Sequence, residues 1–170
     1  MLEQAKRAPV TVTNNWEAVG AVRITGFEIH EVKNVIFRNG MLTELYRFEW
    51  FDPPLMVRHA VHVSMLPGAV TSWHCHKKQR DIIFPVQGQF KMGFYDDRPD
   101  SPTYRASCVV DSGIARPSYY LVPPGVWHAF RNPTRETNAY VVFTDEPFVH
   151  DDPDDWILPV GADVIPCKLD

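Results

Sequence analysis

Apolar and polar residues alternate over much of the chain with a period of two. In GQFKMGFYDD (88–97), Phe90, Met92 and Phe94 alternate with Lys91, Gly93 and Tyr95. That is the period of a strand, not of a helix. VRHAVHVSML (57–66) and NAYVVFTD (138–145) are short and rich in β-branched residues, which suit a pleated surface. Turn-forming clusters separate such runs: DPP at 52–54, LPG at 66–68, DDRPDSP at 96–102, PPG at 123–125 and NPT at 132–134. Many short strands with regular turns predict an all-β sandwich or barrel. Helix is expected to be scarce, one turn near 151–157.

The pattern also divides the chain. Residues 1–20 are polar and loosely patterned, and are expected to form an arm that packs on a partner subunit. Residues 21–158 carry the strand pattern, and 159–170 form a C-terminal tail of the same single domain. The acidic stretch HDDPDDWILP (150–159) reads as a surface lid or loop pinned by Trp156.

Composition narrows the class. A chain of 170 residues with 45% apolar content can bury a core without staples. A net charge of −4 gives no reason to expect nucleic acid or a membrane as partner. Three scattered cysteines, Cys75, Cys108 and Cys167, without a CxxC, argue for a reducing compartment. The first ten residues hold no apolar signal core, and no run reaches the ~18 apolar residues of a membrane span. A cytoplasmic location is expected.

Candidate chemistry lies in two segments. TSWHCHKKQRDIIFPVQG (71–88) reads, from the preceding Gly68, as Gly68-x5-His74-x-His76-x4-Asp81-x6-Gly88. VPPGVWHAFRN (122–132) reads as Pro123-x-Gly125-x2-His128-x3-Asn132. Residues i and i+2 of a strand share a face, so His74 and His76 can both look into a barrel. The turn KKQR lets Asp81 start the next strand facing them, and the PPG turn delivers His128. Three imidazoles and a carboxylate suit one divalent metal, Fe, Mn, Ni or Zn, with positions open for substrate. They equally suit proton transfer at neutral pH. His30, His59, His62 and His150 lack such spacing and are read as ordinary surface or core residues.

Both segments resemble the paired motifs of the cupin superfamily, G-x5-H-x-H-x3,4-E-x6-G and G-x5-P-x-G-x2-H-x3-N. Asp81 stands in place of the glutamate, and Pro117 in place of the second motif's first glycine. The resemblance implies a cupin-type double-stranded β-helix, a jelly-roll barrel, and by analogy a homodimer.

Further segments resemble the cupins that act on nucleotide-linked keto-deoxy sugars. FRNGMLTELYRFEWF (37–51), DDRPDSPTYR (96–105) and VPPGVWHAF (122–130) are similar to segments of dTDP-4-dehydrorhamnose 3,5-epimerases. HCHKK (74–78) and PPGVWHAFRN (123–132) are similar to segments of dTDP-4-keto-6-deoxyglucose 3,4-ketoisomerases. This resemblance implies metal-free epimerisation or isomerisation of a 4-keto-6-deoxy sugar through an enolate. Histidine takes the proton beside the ketone, and a nearby charge or donor holds the oxyanion. Under it His74 is the base, His76 its partner and Tyr140 the acid. Arg38, Arg47 and Arg80 with Trp73, Trp127 and His128 are candidates to bind the nucleotide-sugar substrate. The chain departs where the epimerases carry an oxyanion lysine: Arg80 and Asp81 stand there. Two alternatives stay open. One is a metal-dependent cupin, a dioxygenase or isomerase of a small carbonyl or acid substrate, with ligands His74, His76, Asp81 and His128. The other is a non-catalytic sugar-binding cupin.

Overall fold

The computed structural model describes residues 4–16 and 24–169. Twelve strands follow in chain order: β1 (Glu28–Glu31), β2 (Asn34–Phe37), β3 (Gly40–Thr43), β4 (His59–Met65), β5 (Trp73–Cys75) and β6 (Asp81–Gln87). They continue with β7 (Gln89–Asp96), β8 (Ser107–Gly113), β9 (Ser118–Val122), β10 (Val126–Arg131), β11 (Asn138–Thr144) and β12 (Trp156–Leu158). Two antiparallel five-stranded sheets, β1-β9-β6-β11-β4 and β12-β5-β10-β7-β8, face each other, and β2-β3 forms a separate hairpin. Among the described residues helix is limited to one 3-10 turn at Phe48–Trp50. None of them forms a helix long and apolar enough to cross a membrane.

The alternation along β7 works as its period requires. Phe90, Met92 and Phe94 point between the sheets, where they meet Ile83, Tyr120 and Phe130. The apolar run of β6 has a different cause. Ile83 belongs to this inner cluster, whereas Ile82 and Phe84 join an outer one with Phe51, Leu55 and Tyr119. Both faces of β6 are covered, so its residues are apolar without alternation. A third cluster covers the outside of the other sheet. Trp73, Tyr95 and Ala129 pack there against Ile165 and Leu169. The C-terminal tail is therefore fastened to the barrel, with Arg131 Nη1 donating to the Leu169 carbonyl at 3.0 Å.

Two expectations need correction. The helical turn near 151–157 does not form: residues 150–152 bend and 156–158 become β12. The physical reason is that β12 finds a strand partner, pairing antiparallel with β5 at Trp156–Cys75 and Leu158–Trp73. Nor is the segment pinned by burial of Trp156, which stays 50% exposed with the Lys77 ammonium 3.6 Å above its ring. Of the proposed arm, residues 4–16 are exposed throughout; 1–3 and 17–20 lie outside the described residues, as do 21–23 of the barrel segment.

Candidate active site

The site begins with β5 and β10. They pair so that His74 stands directly opposite His128. His76 follows β5, and its carbonyl accepts the Gly125 N–H at 2.7 Å. That bond ties the PPG turn, and with it the start of β10, to the histidine pair. The chain then crosses to the other sheet through residues 77–80. Arg80 is held there by Asp145, through its N–H at 2.7 Å and its Nε at 2.6 Å. Asp81 opens β6 between Val122 of β9 and Thr144 of β11, and so faces the histidines across the barrel.

The rings converge. The centroid of His128 lies 6.3 Å from that of His74 and 5.5 Å from that of His76. Asp81 Oδ2 sits between two of them, 3.3 Å from His76 Nε2 and 3.4 Å from His128 Nε2. Its Oδ1 accepts from Gln79 Nε2 at 2.8 Å. His74 is the accessible ring, 35% exposed, and its Nδ1 donates to Asp155 Oδ1 at 2.9 Å. The Nδ1 of His76 donates to the Asp154 carbonyl.

These surroundings separate the three histidines chemically. Burial alone would lower the pKa of His76, but the hydrogen bond and charge of Asp81 and the Asp154 carbonyl win and raise it to about 9. Both of its ring nitrogens meet acceptors, as an imidazolium requires. His128 goes the other way: burial, only partly opposed by Asp81, lowers it to about 4. For Asp81 burial is outweighed by His76, by the charge of His128 and by Gln79, and its pKa is lowered. It is a carboxylate. His74, with Nδ1–H committed to Asp155, keeps Nε2 as its basic nitrogen.

Tyr140 lies on β11 inside the barrel, edge-on to Phe130 and Phe90 at 5.1 and 5.5 Å. Burial and then the charge of Asp81 raise its phenol to about 12, so it holds its proton at neutral pH. Trp73 and Trp127 are placed differently. Each is one residue from a site histidine, and alternation turns it to the opposite face. Trp73 is buried in the outer cluster, and Trp127 donates its Nε1–H to Asp97 at 3.3 Å. Neither offers the histidine cluster a stacking platform. The three candidate arginines differ in what they meet. Arg80 is committed to Asp145, Arg47 is paired with Glu44 at 2.8 Å, and Arg38 is exposed at the tip of the β2–β3 hairpin. Asp154 and Asp155 are the site residues that the sequence pattern missed.

Three donor atoms, one each from His76, Asp81 and His128, lie within 4.8 Å of one another and could grip a metal ion. His74 is not among them.

No model of a known protein family matches the chain. It is similar to the probable low-salt glycan biosynthesis epimerase Agl13 of Haloferax volcanii, 26% identical over 78% of this chain and 85% of that protein. Among solved structures it is similar to a dTDP sugar isomerase from Desulfovibrio desulfuricans. The TM-score is 0.78 at 21% identity, over 86% of this chain and 92% of that one. It is also similar to dTDP-4-dehydrorhamnose 3,5-epimerase from Bacillus anthracis, solved with TDP and PPi bound. That TM-score is 0.75 at 19% identity, over 84% of each chain. The fold is thus the cupin jelly roll of these proteins.

Proposed function

We propose that this chain is an epimerase or isomerase of a nucleotide-linked 4-keto-6-deoxy sugar. One observation carries the reading. An accessible histidine is oriented by a carboxylate, His74 Nδ1 on Asp155 Oδ1 at 2.9 Å, in a barrel that also holds a charged His76 and a protonated Tyr140. The relatives named above, a probable glycan biosynthesis epimerase, a dTDP sugar isomerase and a dTDP-4-dehydrorhamnose 3,5-epimerase, support it.

The chemistry follows from those roles. His74 Nε2 takes the proton from the carbon beside the ketone, and the electron pair moves into the enolate. Negative charge gathers on the former carbonyl oxygen. His76, held as an imidazolium by Asp81 and the Asp154 carbonyl, supplies the positive field that the missing lysine would otherwise provide. The Tyr140 phenol returns a proton to carbon. Delivery to the opposite face inverts that centre; delivery to the former carbonyl carbon, with the neighbouring hydroxyl passing its proton to the enolate oxygen, leaves the ketone on the adjacent carbon. Arg38 and Arg47 are proposed to meet the diphosphate, with Arg47 leaving Glu44 for phosphate oxygens. Asp81 makes no bond to substrate in this scheme; it holds the charge on His76.

Deuterium incorporation from D2O into dTDP-4-keto-6-deoxyglucose tests the reading. His74→Ala should lower incorporation by about 10²–10⁴-fold, the usual worth of a positioned base. Undiminished incorporation in that variant would remove His74 as base.

The convergence of His76, Asp81 and His128 favours one second reading, a divalent metal held by those three. Elemental analysis of purified protein decides it: stoichiometric Fe, Mn, Ni or Zn that a chelator removes together with activity would replace the metal-free scheme. We further propose a cytoplasmic location, which the free thiols of Cys75, Cys108 and Cys167 fit. Recovery of the protein in a membrane or secreted fraction would contradict it. A homodimer is also proposed.

A further inference from the structure

Two consecutive residues, Asp154 and Asp155, each serve one histidine of the pair. Asp155 does so with its side chain, on His74. Asp154 does so with its backbone carbonyl, on His76. Its side chain is engaged elsewhere: Oδ1 accepts the Lys77 N–H at 2.9 Å, and Oδ2 accepts those of Lys78 and Gln79 at 2.7 and 3.2 Å. One carboxylate thus gathers three successive N–H groups of the turn that leads from His76 to Asp81. The carboxylate and the carbonyl belong to one residue, so fixing the turn also fixes where the carbonyl stands.

We propose that Asp154 is a positioning residue for His76, fastening the 77–79 turn with its carboxylate and thereby holding its own carbonyl on the Nδ1 proton of that histidine. The carbonyl is backbone and survives every substitution; the side chain is what sets its register. With the clamp removed, β12 still pairs with β5, but the turn and residue 154 are free to separate. The Nε2 of His76 then drifts from Asp81. A displacement of about 1 Å at a reacting group can cost about 10²-fold in rate.

The kinetic part of this proposal rests on the function proposed above; the structural part does not. The test compares Asp154→Ala, which removes all three contacts, with Asp154→Asn, which keeps one acceptor oxygen. The measurements are kcat and KM for deuterium incorporation and the 15N and 1H resonances of the His76 imidazole at one fixed pH. Asp154→Ala should lose roughly tenfold or more in kcat with KM within about twofold. Its His76 Nδ1 resonance should move toward that of a solvated imidazole, and Asp154→Asn should lie between it and the wild type. His76 resonances in Asp154→Ala that coincide with the wild type would overturn the proposal. If Asp154→Ala does not fold, the resonances of Asp154→Asn decide: displacement supports it and coincidence overturns it. If the wild type itself incorporates no deuterium, the functional reading fails while the ring resonances still judge the positioning role.

Discussion

Asp96 is fully buried and gathers four side-chain hydrogen bonds. It accepts from Arg98 Nε and Nη2 at 2.8 Å each, and from the Ser101 and Thr103 hydroxyls at 2.6 Å each. Burial would raise its pKa, but these donors outweigh burial and hold it well below the usual carboxylate value. A depressed native pKa stabilises the fold fully above the unfolded value near 4 and loses that contribution as pH falls through the native one. Asp96→Asn should therefore cost about 2–4 kcal/mol at pH 7, and the gap to wild type should shrink at pH 3. Denaturant titrations at the two pH values check this; an equal gap at both would refute it. The segment DDRPDSP was legible as a turn. Its Asp96 end proved to be a buried anchor because Ser101 and Thr103 fold back onto it. A second residue-scale expectation concerns Asp155. Asp155→Asn should lower kcat about 10–100-fold by freeing the tautomer of His74. Thermal stability should move little, since both side chains are about a third exposed. Parallel kinetics and melting curves separate the two effects.

At the scale of elements, strands carry His74 and His128, and glycines shape turns next to the site strands. Gly88 joins β6 to β7 at φ +78°, and a Cβ there would lie 2.0 Å from Asn138 Oδ1. Asn138 cannot yield. It is buried and donates to Asn132 Oδ1 at 2.7 Å, while Asn132 itself donates to the carbonyls of Met65, Leu66 and Glu136. Gly88→Ala should cost about 2–4 kcal/mol through strain and overpacking, read as a lower denaturation midpoint. Gly125, at φ +79°, is similarly enclosed, with Arg98 Cγ 2.5 Å from a built Cβ. These motif positions were legible in spacing, and the structure assigns physical reasons to them. Trp73 and Trp127, read from the sequence as candidates to bind substrate, point outward instead, as a residue next to an inward histidine on a strand must. What spacing could not reveal is β12. DDPDD reads locally as a solvated acidic turn, and only the long-range pairing of β12 with β5 brings Asp154 and Asp155 onto the histidines. A candidate base with no local carboxylate, beside a distant acidic segment, was the one available signal.

For the whole molecule, the hairpin β2–β3 is the unresolved piece of energetics. Among the described residues it pairs only with itself, and Val35, Ile36, Phe37, Met41 and Leu42 are all exposed on it, Ile36 by 81%. A two-stranded ribbon is marginal on its own in water, and a contiguous apolar patch marks a contact surface. β4 likewise stands at the edge of its sheet, with no strand on its outer side among the described residues. A second copy of the chain would cover both features, and a closed two-fold pairing is the commonest way for a protein to do so. The proposed dimer therefore predicts a solution mass twice 19.5 kDa by sedimentation. It also predicts that Ile36→Lys with Met41→Lys, a directly opposed pair on one face of the hairpin, shifts the protein to monomer by charging the covered face. A wild-type monomer at micromolar concentration, or an unchanged dimer in the double variant, would rule out this hairpin as the contact. Because Arg38 stands at the hairpin tip, the same variant also reports on function. If docking of the hairpin on a partner sets the arginines proposed to bind the diphosphate, KM should rise on dissociation while kcat at saturation holds. If the hairpin serves assembly alone, neither should change.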